Sequence, residues 1–251
     1  MNRHLTFALL ALAATSFHNA HAQAIQVGRM QRDLVLFVNQ TESSGSNRYF
    51  YELTAHDEAA MAYGAVASQY RAVHVVSGSQ ATRDGFIARL DSATGVSSVL
   101  AVDCLFVTNA LTKYVRFYEG VYTIESVVGR IESTMSVARR MKLRMIYSTA
   151  CFGAQHAAGW RRAGFKCIAG SAGVCADTFV SFPNFLAQWS LGTPFVGAVS
   201  IANAADPMRA LDVTAQGLLF RAGSSFWDDV VSLRTLRGTT GLSLSVQSPG
   251  L

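Results

Sequence analysis

Leu143-Arg-Met-Ile-Tyr-Ser-Thr-Ala-Cys151-Phe-Gly153 is a short apolar strand that runs into a cysteine, a glycine and a segment with helical patterning. A side chain at such a junction stands exposed at the sheet's edge and faces the positive end of the following helix. That environment lowers a thiol pKa and activates it as a nucleophile. The alternative reading is a small buried residue closing a strand.

Outward from this stretch, strands alternate with helices. Leu34-Val-Leu-Phe-Val38 is a continuous apolar run of the kind found in buried parallel strands. A polar loop follows over 40–51, and the capping-box spacing of Thr54 and Asp57 predicts a helix over 57–70 with His56 in or just ahead of its first turn. Next come a strand over 72–76, a helix over 82–90 and a strand over 99–107. Residues 114–120 alternate into a glycine turn and read as a hairpin arm. A helix over 124–141 leads back to the opening strand. Beyond Cys151 a helix ends near Gly164, a strand spans 165–169, and Phe182, Phe185 and Trp189 recur on one helical face as core residues. Further helical stretches cover 194–204 and 207–220, and 242–246 reads as an edge strand. Alternation of this length implies a mostly parallel sheet with helices on both faces, and in such sheets chemistry collects at the carboxyl ends of the strands. Cys151 lies at one of those ends and Asn109 at another.

Residues 1–22 read as a removable secretory signal: Arg3 supplies the positive end, Phe7-Ala-Leu-Leu-Ala-Leu-Ala-Ala14 the apolar core, and Ala20-His-Ala22 a cleavage site. No later stretch reaches the ~18 apolar residues of a membrane span. The expectation is an exported protein, periplasmic or secreted, with one α/β domain over 23–220 and an extension over 221–251. Half of the residues are hydrophobic, which argues for a folded core rather than disorder. The net charge of +5 comes from scattered arginines, a pattern that does not suit nucleic-acid binding. Once the leader is removed, the histidines are His56, His74 and His156. With so few imidazoles and no C-x-x-C, no metal site is expected. Four cysteines enter an oxidising compartment, and Cys167 and Cys175 are close enough in sequence to be a candidate disulfide.

The order of elements over about residues 33–206 resembles the caspase-like cysteine peptidases: caspases, metacaspases, gingipains and legumains. The matching parts are the second strand followed by Ser79-Gln-Ala-Thr82, the third apolar strand with its hairpin arm, and the fourth strand ending in Ala150-Cys151-Phe152-Gly153. The resemblance implies a three-layer α/β sandwich, Cys151 as nucleophile, and an oxyanion hole from the backbone N–H groups of Cys151 and Ala110. It further implies a peptide or protein as substrate, and it calls for no cofactor. Asp177, in the loop after the fifth strand, falls where the family builds its specificity pocket, and a carboxylate there would favour a basic side chain.

One departure bears on mechanism. The family carries His-Gly at the end of the third strand, with the imidazole protonating the leaving amine, whereas this chain has Asn109-Ala110. An amide hydrogen-bonds but transfers no proton near neutral pH. His156, five residues past Cys151, points about 140° away on a common helix. His74 lies within the second strand, short of the carboxyl edge. His56 would have to reach across a strand, roughly 10 Å. Two readings follow. The first is an exported cysteine hydrolase, an endopeptidase using Cys151 with His56 or Asn109 in support. The second is a catalytically inactive caspase-fold protein that binds a peptide or protein. An α/β-hydrolase is disfavoured because no G-x-S-x-G is present, and a class I amidotransferase for want of a downstream His-x-Glu.

Overall fold

The computed structural model describes residues 25–39, 48–239 and 241–247, without the side chains of 48–56, 110, 111 and 247. The expected leader over 1–22 and most of the expected loop over 40–51 lie outside the described residues.

A six-stranded sheet forms the middle layer. Its parallel strands are β2 (Arg32–Asn39), β3 (Ala72–Val76), β4 (Ala101–Thr108), β8 (Leu143–Ser148) and β9 (Cys167–Ser171); the sixth, β10 (Arg234–Gly238), is antiparallel. The order across the sheet is β10-β9-β8-β4-β2-β3. A short ribbon, β1 (Ile25–Gln26) with β11 (Val246–Gln247), joins the two ends of the described chain. Strands β5 (Ala110–Leu111), β6 (Tyr114–Phe117) and β7 (Gly120–Thr123) build an arm beyond β4, corresponding to the expected hairpin.

The apolar strands are buried on both faces, and their alternation sorts side chains into two cores. Val35, Phe37, Cys104 and Phe106 face α2 (Arg83–Gly95), α3 (Ile124–Thr134) and α5 (Ala157–Ala163) through Phe86, Val127, Ile131 and Trp160. Leu34, Leu36, Leu105 and Val107 face the other way. They pack with residues of α1 (Arg48–Val66), α6 (Thr178–Ser190) and α7 (Phe195–Ala204), among them Ala62, Phe182, Phe185, Trp189 and Ala198. The expected aromatic stripe is therefore core. Side-chain caps fix the helix starts: Thr82 accepts from the Gly85 N–H and Thr123 from the Ser126 N–H.

Three expectations need correction. Helix α1 begins at Arg48, so Thr54 and Asp57 are interior and His56 lies in its third turn rather than its first. The long helix before β8 breaks, because Ser136 takes an extended conformation and caps a new short helix, α4 (Val137–Arg140). The edge strand is Arg234–Gly238, not 242–246; the latter is turn backbone whose last residue enters β11. Within the stretch expected as a C-terminal extension, Arg234–Gly238 joins the sheet after α8 (Ala210–Arg221).

A register shift also matters. Val102 pairs with Leu143 and Cys104 with Ile146, so β8 carries one residue more than β4 over that span. The bulge turns Arg144 onto the α6 face, where its guanidinium is fully buried, pairs with Asp103 and donates at 2.9 Å to the carbonyls of Ser243 and Leu244. Tyr70 donates to Asp103 at 2.8 Å and Trp189 to Tyr70 at 2.9 Å, which completes a buried network holding the C-terminal segment.

Candidate functional site at the carboxyl edge

Strands β4, β8 and β9 end side by side. Phe106 pairs with Ser148 in the β4–β8 register, so the ends that lead to Asn109 and Cys151 stand one strand spacing apart, about 4.8 Å. The loops after β8 and β9 are then laced together. Phe152 N–H donates to the Gly173 carbonyl at 2.7 Å, and the Ser171 hydroxyl donates at 2.9 Å to the carbonyls of Ala150 and Gly173. Gly153 and Gly170 touch backbone to backbone: a Cβ on Gly170 would sit 2.4 Å from the Gly153 carbonyl carbon. Gly170 is needed for that approach, and a Cβ on Gly153 would sit a tight 3.1 Å from the Gly170 Cα.

Cys151 is half-buried at this junction, and the Cys175 N–H donates to its sulfur at 3.4 Å. The next residue, Phe152, is held in the left-handed region at φ 55°, a conformation that costs a non-glycine residue on the order of 1 kcal/mol and marks a constrained turn. The first helical turn, Gly153–His156, is a 3₁₀ segment, and α5 proper starts only at Ala157. The expected lowering of the thiol pKa does not occur. Burial pushes Cys151 up to about 11, Cys175 nearby adds to the rise, and the Cys175 N–H and Arg234 only partly oppose it.

Among the described residues no imidazole serves this thiol. His156 is buried and its Nε2 lies 2.5 Å from the Thr112 carbonyl, in the turn of the arm that Thr112 enters at φ 45°. His74 Nε2 is 2.8 Å from Asp33, which Arg71 also pairs, at the amino end of β2. The side chain of His56 lies outside the described residues. Asn109 occupies the end of β4, where its carbonyl accepts from Arg116 N–H at 3.1 Å, while its buried side-chain Nδ2 has no partner among the described residues. The hydroxyl of Thr149, also buried, is unpartnered there too. Ala110 begins β5 opposite Val115.

Two further expectations change. Cys167 and Cys175 are both free: Cys167 opens β9, Cys175 lies past its other end, and the strand between runs about 13 Å. Cys167 donates to the Thr239 carbonyl, whereas Cys175 contacts Thr178 Oγ1 at 2.8 Å, so the pair does not meet disulfide geometry. Asp177 is not an open acid awaiting a cation. It is fully buried, with Arg234 Nη1 at 2.9 Å from one oxygen and Arg209 Nη1 at 3.4 Å from the other.

Sequence reasoning missed the floor of the site. Arg234, from the antiparallel edge strand, donates to Cys175 Sγ at 3.3 Å and lies over the Tyr147 ring at 5.2 Å. Arg209 continues to Asp212, which binds the Ser232 N–H and hydroxyl, and that hydroxyl takes the Ala176 N–H at 2.6 Å. A chain of alternating charges thus ties β10 and α8 under the loop that carries Cys175. A lone arginine in a weakly patterned segment gives no sequence signal of such a role.

Among the described residues no group of three or more His, Cys, Asp or Glu side chains is placed to hold a metal, and no helix is long and apolar enough to cross a membrane. No protein-family profile matches the sequence. No curated protein sequence matches it either. The chain is similar in structure to caspase-1 from Spodoptera frugiperda, with a TM-score of 0.56 and 8% identity over 90% of this chain and 94% of that one. At that identity the likeness speaks to the fold, which is caspase-like: a mixed α/β sandwich with helices on both faces of a mostly parallel six-stranded sheet.

Proposed function

We propose that this chain is a caspase-fold protein that binds an extended segment of a peptide or protein at the carboxyl ends of β4, β8 and β9. Cys151 is kept there as a neutral thiol rather than as the nucleophile of a turnover peptidase. The observation that carries the reading is the state of Cys151. Its pKa stands near 11, and no imidazole among the described residues faces it. Peptide hydrolysis needs a thiolate to attack and an acid to protonate the leaving amine. With a pKa near 11 the thiolate fraction at neutral pH is about 10⁻⁴. Asn109 cannot supply the proton, and its Nδ2, buried without a partner among the described residues, meets a main-chain carbonyl of a bound segment only after the side chain swings out. The signal-like sequence over 1–22 supports an extracytoplasmic partner as part of this proposal.

A second reading, an exported cysteine endopeptidase with Cys151 as nucleophile and Asn109 or His56 in support, is favoured by one observation. Cys151 stands at a strand end beside the constrained Phe152, with a backbone N–H pointed at its sulfur. The two readings separate when mature protein is treated with a peptidyl vinyl sulfone, wild type beside Cys151→Ala and His56→Ala, and the same proteins are assayed for cleavage and retention of a peptide library. Binding predicts labelling no faster than free cysteine, no cleavage, and peptide retention that survives Cys151→Ala. Rapid labelling that vanishes in Cys151→Ala, with cleavage of the library, would establish the hydrolase instead.

A further inference from the structure

We infer that Cys151 and Cys175 are a dithiol pair that closes reversibly into a disulfide, with Cys175 as the resolving thiol for any adduct formed on Cys151. The two loops are already held together. The Cys175 N–H lies 3.4 Å from the Cys151 sulfur, and a residue's Cβ is about 2.5 Å from its own nitrogen. The Cys175 Cβ therefore lies within about 6 Å of that sulfur before any movement. The ties between Phe152 and Gly173, and between Ser171 and Ala150, fix the backbones on either side. Closing the bond requires the Cys175 side chain to rotate away from Thr178 and Arg234.

Both residues are half-buried, whereas Cys104 and Cys167 are buried in the two cores. Burial raises the Cys175 thiol above its ordinary pKa, and the Arg234 guanidinium, 3.3 Å from Cys175 Sγ, partly opposes that rise for the thiolate that performs the resolving attack. With a small disulfide such as oxidised glutathione as oxidant, the thiolate of Cys151 attacks one glutathione sulfur, forms a mixed disulfide and releases one glutathione. The Cys175 thiolate then attacks the Cys151 sulfur and expels the second glutathione. Two protein thiols are oxidised, one small disulfide is reduced to two thiols, and the protons end on the released glutathione. The inference holds whether the cleft binds or cleaves its peptide.

The test equilibrates the full mature protein with mixtures of oxidised and reduced glutathione, alkylates the remaining thiols and maps the products by mass spectrometry. The expected result is a Cys151–Cys175 cross-link that a reductant releases, with no lasting glutathione on wild-type Cys151. In Cys175→Ser, glutathione remains on Cys151. Wild-type Cys151 that retains glutathione while Cys175 stays alkylatable would overturn the inference, as would a Cys167–Cys175 link, or Cys151 left unoxidised at every ratio. Mapping of the wild type decides the matter even if Cys175→Ser does not fold.

Discussion

Arg234 Nη1 lies 2.9 Å from Asp177 Oδ1, and neither side chain is exposed to solvent. This contact joins the last strand of the sheet to the loop after β9, so a residue near the C-terminal end of the described chain fixes the wall of the site. Removing one partner of such a pair leaves an uncompensated buried charge. Arg234→Met is expected to cost about 3–5 kcal/mol in denaturant unfolding. The double change Arg234→Met with Asp177→Leu should recover much of that loss, because it removes both charges. A single change costing less than about 1 kcal/mol would mean that Arg209, 3.4 Å from the other oxygen, suffices alone.

Gly170 faces Gly153 across the two site loops, with no room for a Cβ. Gly170→Ala is expected to destabilise by about 1–3 kcal/mol through forced backbone displacement. It should also change the alkylation rate of Cys151, whose position depends on the same contact. By comparison, Gly64→Ala in α1, where an added Cβ meets nothing within 4 Å, should be neutral or stabilising.

Burial lowers the pKa of His156 below its ordinary value near 6.5, and its Nε2 bonds the Thr112 carbonyl. The folded state therefore binds this proton less readily than the unfolded chain does. The stability contribution is fully present above about pH 6.5 and is lost as pH falls through and below that value. Thermal unfolding followed from pH 7.5 to 5 should show this acid-side loss, reduced in His156→Gln. Equal slopes for the two proteins would contradict the assignment.

Much of the fold was legible in the sequence because its strands are unbroken apolar runs. Leu34–Val38 and the stretch ending at Ser148 are buried on both faces, and periodicity reports that directly. The place of Cys151 just past a strand end was legible for the same reason, since it follows such a run at a glycine turn. What failed was what depends on distant partners. The bulge that buries Arg144 arises from the match of two strands, not from either alone. Arg234 gains its role only when β10 pairs with β9, and Asp177 read as a loop acid because its arginines come from residues 209 and 234. The activated thiol was expected from the helix dipole. A 3₁₀ turn follows Cys151, and desolvation outweighs the nearby donors.

The most direct measurement is the pH dependence of Cys151 alkylation by iodoacetamide in the reduced protein, read site by site with Cys151→Ala as the blank. A thiol with a pKa near 11 should react at pH 7 roughly two to three orders of magnitude more slowly than free cysteine, with a rate still rising beyond pH 9. A rate that reaches its plateau at or below pH 7 would show an activated thiolate, and the chain would then be a working cysteine nucleophile.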